Sequence, residues 1–288
     1  MTAVLITGVR GKTGRQVATA LLRRGVVTVR GGGRSVADLS VPGVIAKRFD
    51  WEDPTSWPEA LAGIGAVYLV KPKTPDPAGT VTSFLRSAES IQRVVLLSEI
   101  DAGNRDEATD ERKVEKALES SRTAWTILRP NWFMQNFTTP SFYLEAIRDA
   151  NELKVPTGGQ PTSFVDTRDI ADVAVAALLD AGHAERAYTL TGPQAVTWAE
   201  VAALIGQAAG HEVRYIDPPL KEYLDASSQQ GTARAAVEYY KRIYTCIQEG
   251  RTSIVSADVQ QVTGHPARTF SAFVAENKNV WRRASALH

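Results

Sequence analysis

Cysteine is almost absent from this chain. Cys246 stands alone among 288 residues, so no disulfide can close within it and no cysteine-rich zinc centre can assemble. That usage suits a reducing compartment, and a cytoplasmic protein is expected. Histidine is scarce too. His183, His211, His265 and His288 lie too far apart in sequence to suggest a cluster, so no metal is expected and the four read as surface or structural. Neither sign of charge dominates: 33 basic against 32 acidic side chains leave a net charge of +1. Such a chain carries no global field to draw nucleic acid or an anionic membrane, and Arg23-Arg24 and Arg282-Arg283 read as solvated faces. There is no run of about 20 apolar residues to span a bilayer. Met1-Thr2-Ala3 leads directly into an apolar strand, so no cleaved secretory segment is expected. No repeat of solenoid period is present. What remains is the composition of a soluble globular protein, 43% hydrophobic, able to bury a substantial core in one large or two small domains.

The front of the chain organises the rest. Val4-Leu5-Ile6 reads as a buried strand running straight into Thr7-Gly8-Val9-Arg10-Gly11-Lys12-Thr13-Gly14, and an amphipathic helical run from Arg15 to Gly25 follows. Glycine meets a different need at each position. Gly8 permits the tight turn, Gly11 lets backbone N–H groups approach a phosphate, and Gly14 lets helix and strand pack closely. The helix start offers unpaired N–H groups and the positive dipole end to an anion, with Arg10, Lys12 and Thr13 in the same turn. Strand, turn and helix in this order fit a dinucleotide pyrophosphate.

The end of the next strand bears on which dinucleotide. Val26 to Arg30 reads as that strand, and an acid after it would bind the ribose hydroxyls of NAD. The chain instead continues Gly31-Gly32-Gly33-Arg34-Ser35. Arg34 offers a fork of donors and Ser35 a hydroxyl to a 2'-phosphate, with Arg10 within reach. This favours NADP(H), the alternative for each arginine being a solvated surface charge.

Strands and helices then alternate. Val44 to Phe49 is a third strand closed by Asp50-Trp51-Glu52-Asp53-Pro54, with Asp53 as N-cap and Pro54 at the first helical position. Asp50 and Trp51 stand where an adenine would lie, or they only cap and pack. Ala66 to Val70 is a fourth strand, apolar enough to be buried on both faces of a parallel sheet, and the stiff loop from Lys71 through Pro72 to Pro77 borders the ligand side. A helix over 78–90, a strand over 93–97 ending at Ser98, a helix over 111–119 and a strand over 125–129 complete the pattern, which argues for a doubly wound parallel sheet. After Pro130 the rhythm breaks. Asn131, Trp132, Phe133 and Met134 form either core or the wall of a substrate pocket. Thr167 reads as the cap of a helix over 170–179, and 187–191 as a further strand. From Thr197 the chain is mainly helical, with a short strand over 213–216. The expected division is 1–155, a nucleotide-binding domain, and 156–288, in which about 162–192 return to the sheet and the rest forms a lobe for substrate specificity.

Three stretches carry a family resemblance: Thr7-Gly8-x-x-Gly11-x-x-Gly14, Leu128-Arg129-Pro130-x-x-Phe133-Met134-x-Asn136-Phe137, and Phe164-Val165-Asp166-x-x-Asp169-Ile170-Ala171. In order and spacing they resemble the NmrA-like group of atypical short-chain dehydrogenases/reductases. Phe49-Asp50-Trp51-x-Asp53-Pro54 and Tyr188-Thr189-Leu190-Thr191-Gly192-Pro193 are similar to the subgroup that includes the ergot alkaloid dehydrogenases. The resemblance implies an α/β fold of the NAD(P)-binding Rossmann type with a smaller, mainly helical C-terminal lobe. It also implies reduction of iminium, quinone, enone or azo-like substrates in members that are enzymes, and dinucleotide sensing without turnover in some others.

Ordinary members of that superfamily place a Tyr four residues before a Lys, whose ammonium lowers the phenol pKa. Here Lys113 is preceded at that spacing by Thr109, and an aliphatic hydroxyl is a far poorer acid. Candidate catalytic groups are Ser98, Lys113 and Asn131. Ser98 either orients a carbonyl or caps its strand, and Lys113 either binds the nicotinamide ribose or lies on a solvated face. An already electrophilic substrate can accept hydride from a well-placed NADPH without the missing acid. The leading expectation is an NADPH-dependent reductase of a conjugated or aromatic small molecule (quinone, enone, iminium or ketone) in secondary metabolism. The alternatives are a non-catalytic NADP(H) sensor and an isomerase or cyclase on the same fold. The expected partner is a small-molecule substrate, with no nucleic acid or membrane. The sequence leaves the oligomeric state open, with a homodimer as one option.

Overall fold

The computed structural model describes residues 3–283 apart from 27, 38–40 and 89, so Val27 and His288 lie outside the described residues. In chain order the strands are β1 (Val4–Ile6), β2 (Val29–Gly33), β3 (Ile45–Arg48), β4 (Ala66–Val70), β5 (Arg93–Leu97), β6 (Ala124–Pro130), β7 (Glu152–Lys154), β8 (Arg186–Leu190) and β9 (Arg214–Ile216). The helices are α1 (Lys12–Arg23), α2 (Trp57–Leu61), α3 (Pro77–Ser87), α4 (Asp110–Glu119), α5 (Thr167–Leu179), α6 (Trp198–Ala209), α7 (Leu220–Gln229), α8 (Arg234–Gln248), α9 (Asp258–Thr263) and α10 (Phe270–Asn277). No helix among the described residues is long and apolar enough to cross a membrane.

The chain forms two compact units. The first comprises Met1–Pro130, Thr167–Leu190 and Asp258–His265, and the second Asn131–Asp166, Thr191–Ala257 and Pro266–His288. The first unit ends its long segment at Pro130, not near 155. The reason is hydrophobic: Met134, Phe137, Ile147, Leu153 and Val155 all bury in the second unit's core.

In the first unit seven parallel strands run in the order β3-β2-β1-β4-β5-β6-β8. Leu5, Val67, Leu69, Val94, Leu96 and Ile127 bury toward α2, α3 and α4, whereas α1 and α5 pack together on the opposite face. This is a doubly wound, Rossmann-type sheet, and its order reverses at β1, whose neighbours are β2 and β4. Ligands of such sheets bind outside the carboxyl ends of the strands at that reversal. Besides bounds shifted by a few residues, α1 beginning at Lys12 and not Arg15 among them, two differences matter for the site side of the sheet. β2 runs from Val29 through Gly33, because Val9 and Phe49 pack flat on Gly31 and Gly32, where a Cβ would come within 2.7 Å of Val9 Cγ1 and 3.0 Å of Phe49 Cβ. Packing here overrides glycine's poor strand propensity. Thr167 lies inside α5, not ahead of it as its cap.

The second unit is organised differently. Met134–Thr138 form a 3₁₀ turn, and Pro140–Leu144 and Ala146–Ala150 form π turns, rather than regular helix. The parallel pair β7–β9 and the helices α6, α7, α8 and α10 accompany an aromatic core of Phe137, Phe164, Trp198, Phe270, Phe273 and Trp281. Its buried indoles are satisfied, Trp198 Nε1 donating to Thr162 Oγ1 at 3.0 Å and Trp281 Nε1 to the Phe137 carbonyl at 2.7 Å.

Candidate functional site

The turn between β1 and α1 is built for close approach. A Cβ on Gly14 would overlap the Gly8 carbonyl oxygen, and one on Gly8 would lie 2.9 Å from Val70 Cγ2. Gly11, by contrast, faces only the Gly8 carbonyl at 3.2 Å. It is the N-cap of α1 and brings no side-chain cap, and the first turn holds no acid. The first-turn N–H groups of Lys12, Thr13 and Gly14 thus lack intrahelical acceptors and stand at the positive end of the helix. That arrangement fits a pyrophosphate. Thr13 is buried and Arg10 exposed. Lys12 is half-buried, and burial pulls its ammonium down to about 8.

Arg34 and Ser35 follow directly on the carboxyl end of β2. Arg34 is exposed and has no hydrogen-bond or ion-pair partner among the described residues. A guanidinium in that state suits a 2'-phosphate donor set. Asp50 and Trp51 sit at the end of β3. The Asp50 carbonyl is tied to Trp57 Nε1 at 2.7 Å while its Oδ1 accepts from Glu52 N at 3.1 Å. Trp51 packs edge-on against Phe49 and Phe84 at 4.8 and 5.1 Å, so most of its surface serves the core. Asp53 caps the following turn through Thr55 N with Pro54 at the first position, as the sequence implies. Val70 ends β4 against Gly8, and Pro72 is buried two residues on.

The α4 edge corrects the sequence reading. The helix buries Glu111, Val114, Glu115 and Leu118, an i, i+3, i+4, i+7 stripe, while Lys113 is exposed. At 100° per residue Lys113 points away from that stripe, so it is not placed to serve a ribose beside the sheet. Two carboxylates hold the positions that face inward. Glu115 accepts from Ser98 Oγ at 2.7 Å, from Arg129 Nε and Nη2 at 2.9 and 2.8 Å, and from Arg112 at 3.0 Å. Glu111 pairs with Lys71 and, at 3.5 Å, with Arg105, which also reaches Glu99 at 3.0 Å. Ser98 has therefore committed its only proton. Spacing from the Tyr/Lys pattern missed these residues, yet the phase of Val114 and Leu118 would have pointed to Glu111 and Glu115.

Asn131 makes hydrogen bonds through both ends of its amide. It is buried, its two amide hydrogens go to Ser163 Oγ and the Thr252 carbonyl at 2.8 and 2.7 Å, and its oxygen accepts from Trp132 N. It ties three segments of the second unit together. Met134 is core, and Phe133 forms a bridge with Val165. Trp132 is half-buried, edge-on to Trp198 at 5.3 Å and stacked with Tyr244 at 6.0 Å. The hydroxyls of Tyr223 and Tyr244 lie 3.4 Å apart, and burial pushes the Tyr143 and Tyr244 phenols up. Tertiary structure also gathers what looked scattered: His265 Nε2 lies 3.4 Å from Asp172 Oδ2, and these two with Asp169 offer ligand atoms within 4.8 Å of one another.

Residues 8–181 match the NAD(P)H-binding family. The NAD(P)H azoreductase of Xenophilus azovorans is 32% identical over 94% of this chain and 96% of its own. The agroclavine dehydrogenase of Claviceps fusiformis is 27% identical over 96% and 98%. The NADPH-dependent quinone oxidoreductase of Escherichia coli, solved with NADPH, superposes with a TM-score of 0.82 at 20% identity over 95% and 99%, which speaks to the fold. A match that begins at the glycine turn and covers more than half of the chain makes this protein a member of the NAD(P)H-binding family.

Proposed function

We propose that the protein is an NADPH-dependent reductase that delivers hydride to an electrophilic conjugated or aromatic small molecule such as a quinone, enone, iminium or ketone. The observation that carries this is the uncapped, acid-free start of α1 at the Gly8–Gly14 turn, placed where the sheet order reverses. Bound there, NADPH supplies the hydride. Gly8, Gly11 and Gly14 give the backbone room for the pyrophosphate, with Lys12, Thr13 and Arg10 beside it. Arg34 and Ser35 hold the 2'-phosphate, Asp50 and Trp51 border the adenine, and Val70 and Pro72 line the nicotinamide side. The first unit takes the cofactor, and the second, through Trp132 and its aromatic neighbours, sets substrate preference. Relatives named azoreductase and agroclavine dehydrogenase support a reductase of conjugated nitrogen or carbonyl compounds, the latter name in keeping with secondary metabolism.

One observation favours a second reading. The inward positions of α4 hold carboxylates already bound to cations, not a Tyr/Lys pair, which is compatible with an NADP(H) sensor that does not turn over. Calorimetric titration with NADPH and NADH, followed by a quinone, azo and imine panel, separates the two. NADPH should bind at least tenfold more tightly than NADH. Charge-assisted hydrogen bonds contribute about 1.5–3 kcal/mol, so Arg34→Ala should close that gap by roughly 10- to 100-fold. Affinity without turnover on any of the panel would leave the sensor, and binding of neither nucleotide would remove both readings.

A further inference from the structure

We propose that Lys71, held by Glu111, is the proton donor to the reduced substrate, in the place of the absent tyrosine; this rests on the reductase reading above. Val70 pairs with Leu97 and Leu97 with Leu128. The next residues, Lys71, Ser98 and Arg129, therefore form one row, just past the ends of β4 and β5 and at the penultimate residue of β6. The row lies on the carboxyl edge of the sheet, and it begins one residue after Val70, the side chain that closes on Gly8.

Within the row two members are spent. Ser98 gives its proton to Glu115. Arg129 lays two N–H groups on the same carboxylate and is covered by Gly103, where any Cβ would strike the guanidinium. None of the guanidiniums nearby, Arg105, Arg112 or Arg129, can release a proton. Lys71 differs on each count. Its Nζ engages Glu111, an ammonium has three donors, and its side chain is 29% exposed against 7% for Glu111 and 8% for Arg105. Of the cations in this ionic network it is the most exposed, Arg105, Arg112 and Arg129 all being more buried.

The step balances as follows. A bound NADPH would supply two electrons as hydride, and the pair displaced from the substrate's π bond would come to rest on the carbonyl oxygen. An Nζ–H bond of Lys71 breaks as the O–H bond forms, and the amine regains its proton from water while Glu111 holds it in place. A cationic substrate needs no such proton, because hydride alone makes an iminium or a cationic triarylmethane dye neutral.

That contrast supplies the test. With the full chain and NADPH, Lys71→Met should lower turnover of a 1,4-naphthoquinone about 100-fold while changing turnover of a cationic triarylmethane dye less than about threefold. Lys71→Arg keeps the charge and the Glu111 pair but not the transferable proton, so quinone turnover should stay low. By equilibrium binding in the presence of NADP+, 4-nitrophenolate should bind about tenfold more weakly to Lys71→Met than to the unmodified protein, with NADP+ affinity within twofold. Equal losses on quinone and dye, unchanged quinone turnover, or unchanged phenolate affinity would each overturn the assignment. An unmodified protein that binds NADPH but reduces neither compound would remove the reductase reading itself, and this donor with it.

Discussion

The two ends of α1 and α4 nearest the carboxyl edge of the sheet make an instructive pair. The start of α1 is made of backbone: glycine at the cap, no acid in the first turn, and N–H groups directed outward. The inward face of α4 is made of side chains: Glu111 and Glu115 buried, each already ringed by cations from Lys71, Arg105, Arg112 and Arg129. One place is prepared for an anion from outside, and the other has neutralised its own charges. A buried charge is tolerated only when paired. The α4 edge therefore contributes structure and, at Lys71 alone, a group that can leave its partner.

The largest expected effect falls on the backbone-made end. Gly14→Val should lower NADPH affinity at least 100-fold by calorimetry, because no Cβ fits beside the Gly8 carbonyl and the turn must open. Next comes the side-chain-made end. Glu115→Leu would strand Arg129 without its carboxylate and leave Arg112 only Glu119, and breaking a buried pair costs about 3–5 kcal/mol. Thermal unfolding should show a clear fall in midpoint, whereas NADPH affinity at 25 °C should change far less than for Gly14→Val. If affinity collapsed equally, the two ends would not be independent.

A smaller effect is carried by pH. Lys12 is held down to about 8 by burial, and an adjacent phosphate favours its charged form. The complex keeps the proton that the free protein loses as pH rises through 8. Affinity is then full below pH 8, and NADPH should bind roughly tenfold more weakly at pH 9 than at pH 7. Lys12→Met should flatten that slope. Smallest of all is Lys113→Ala, which should alter NADPH affinity less than about twofold, since that side chain lies on the exposed face of α4.

The sequence by itself determined what depends on neighbours in the chain. Apolar runs gave β4 and β5 at their observed bounds, and the spacing of Gly8, Gly11 and Gly14 gave the turn, although the helix starts at Lys12, within the turn, and not after Gly14. Each is settled by steric and hydrogen-bonding rules that act within a few residues. The tertiary structure alone decided the rest. It drew Gly31 to Gly33 into β2 by packing Val9 and Phe49 upon them. It chose Glu111 and Glu115, not Lys113, as the residues of α4 that face the sheet, and it made Asn131 a tie between Ser163 and Thr252. It also set Lys71 beside Glu111, 40 residues away. Such choices turn on the burial and pairing of charges brought together from distant segments. Their free energy belongs to the assembled environment, and no local pattern encodes it.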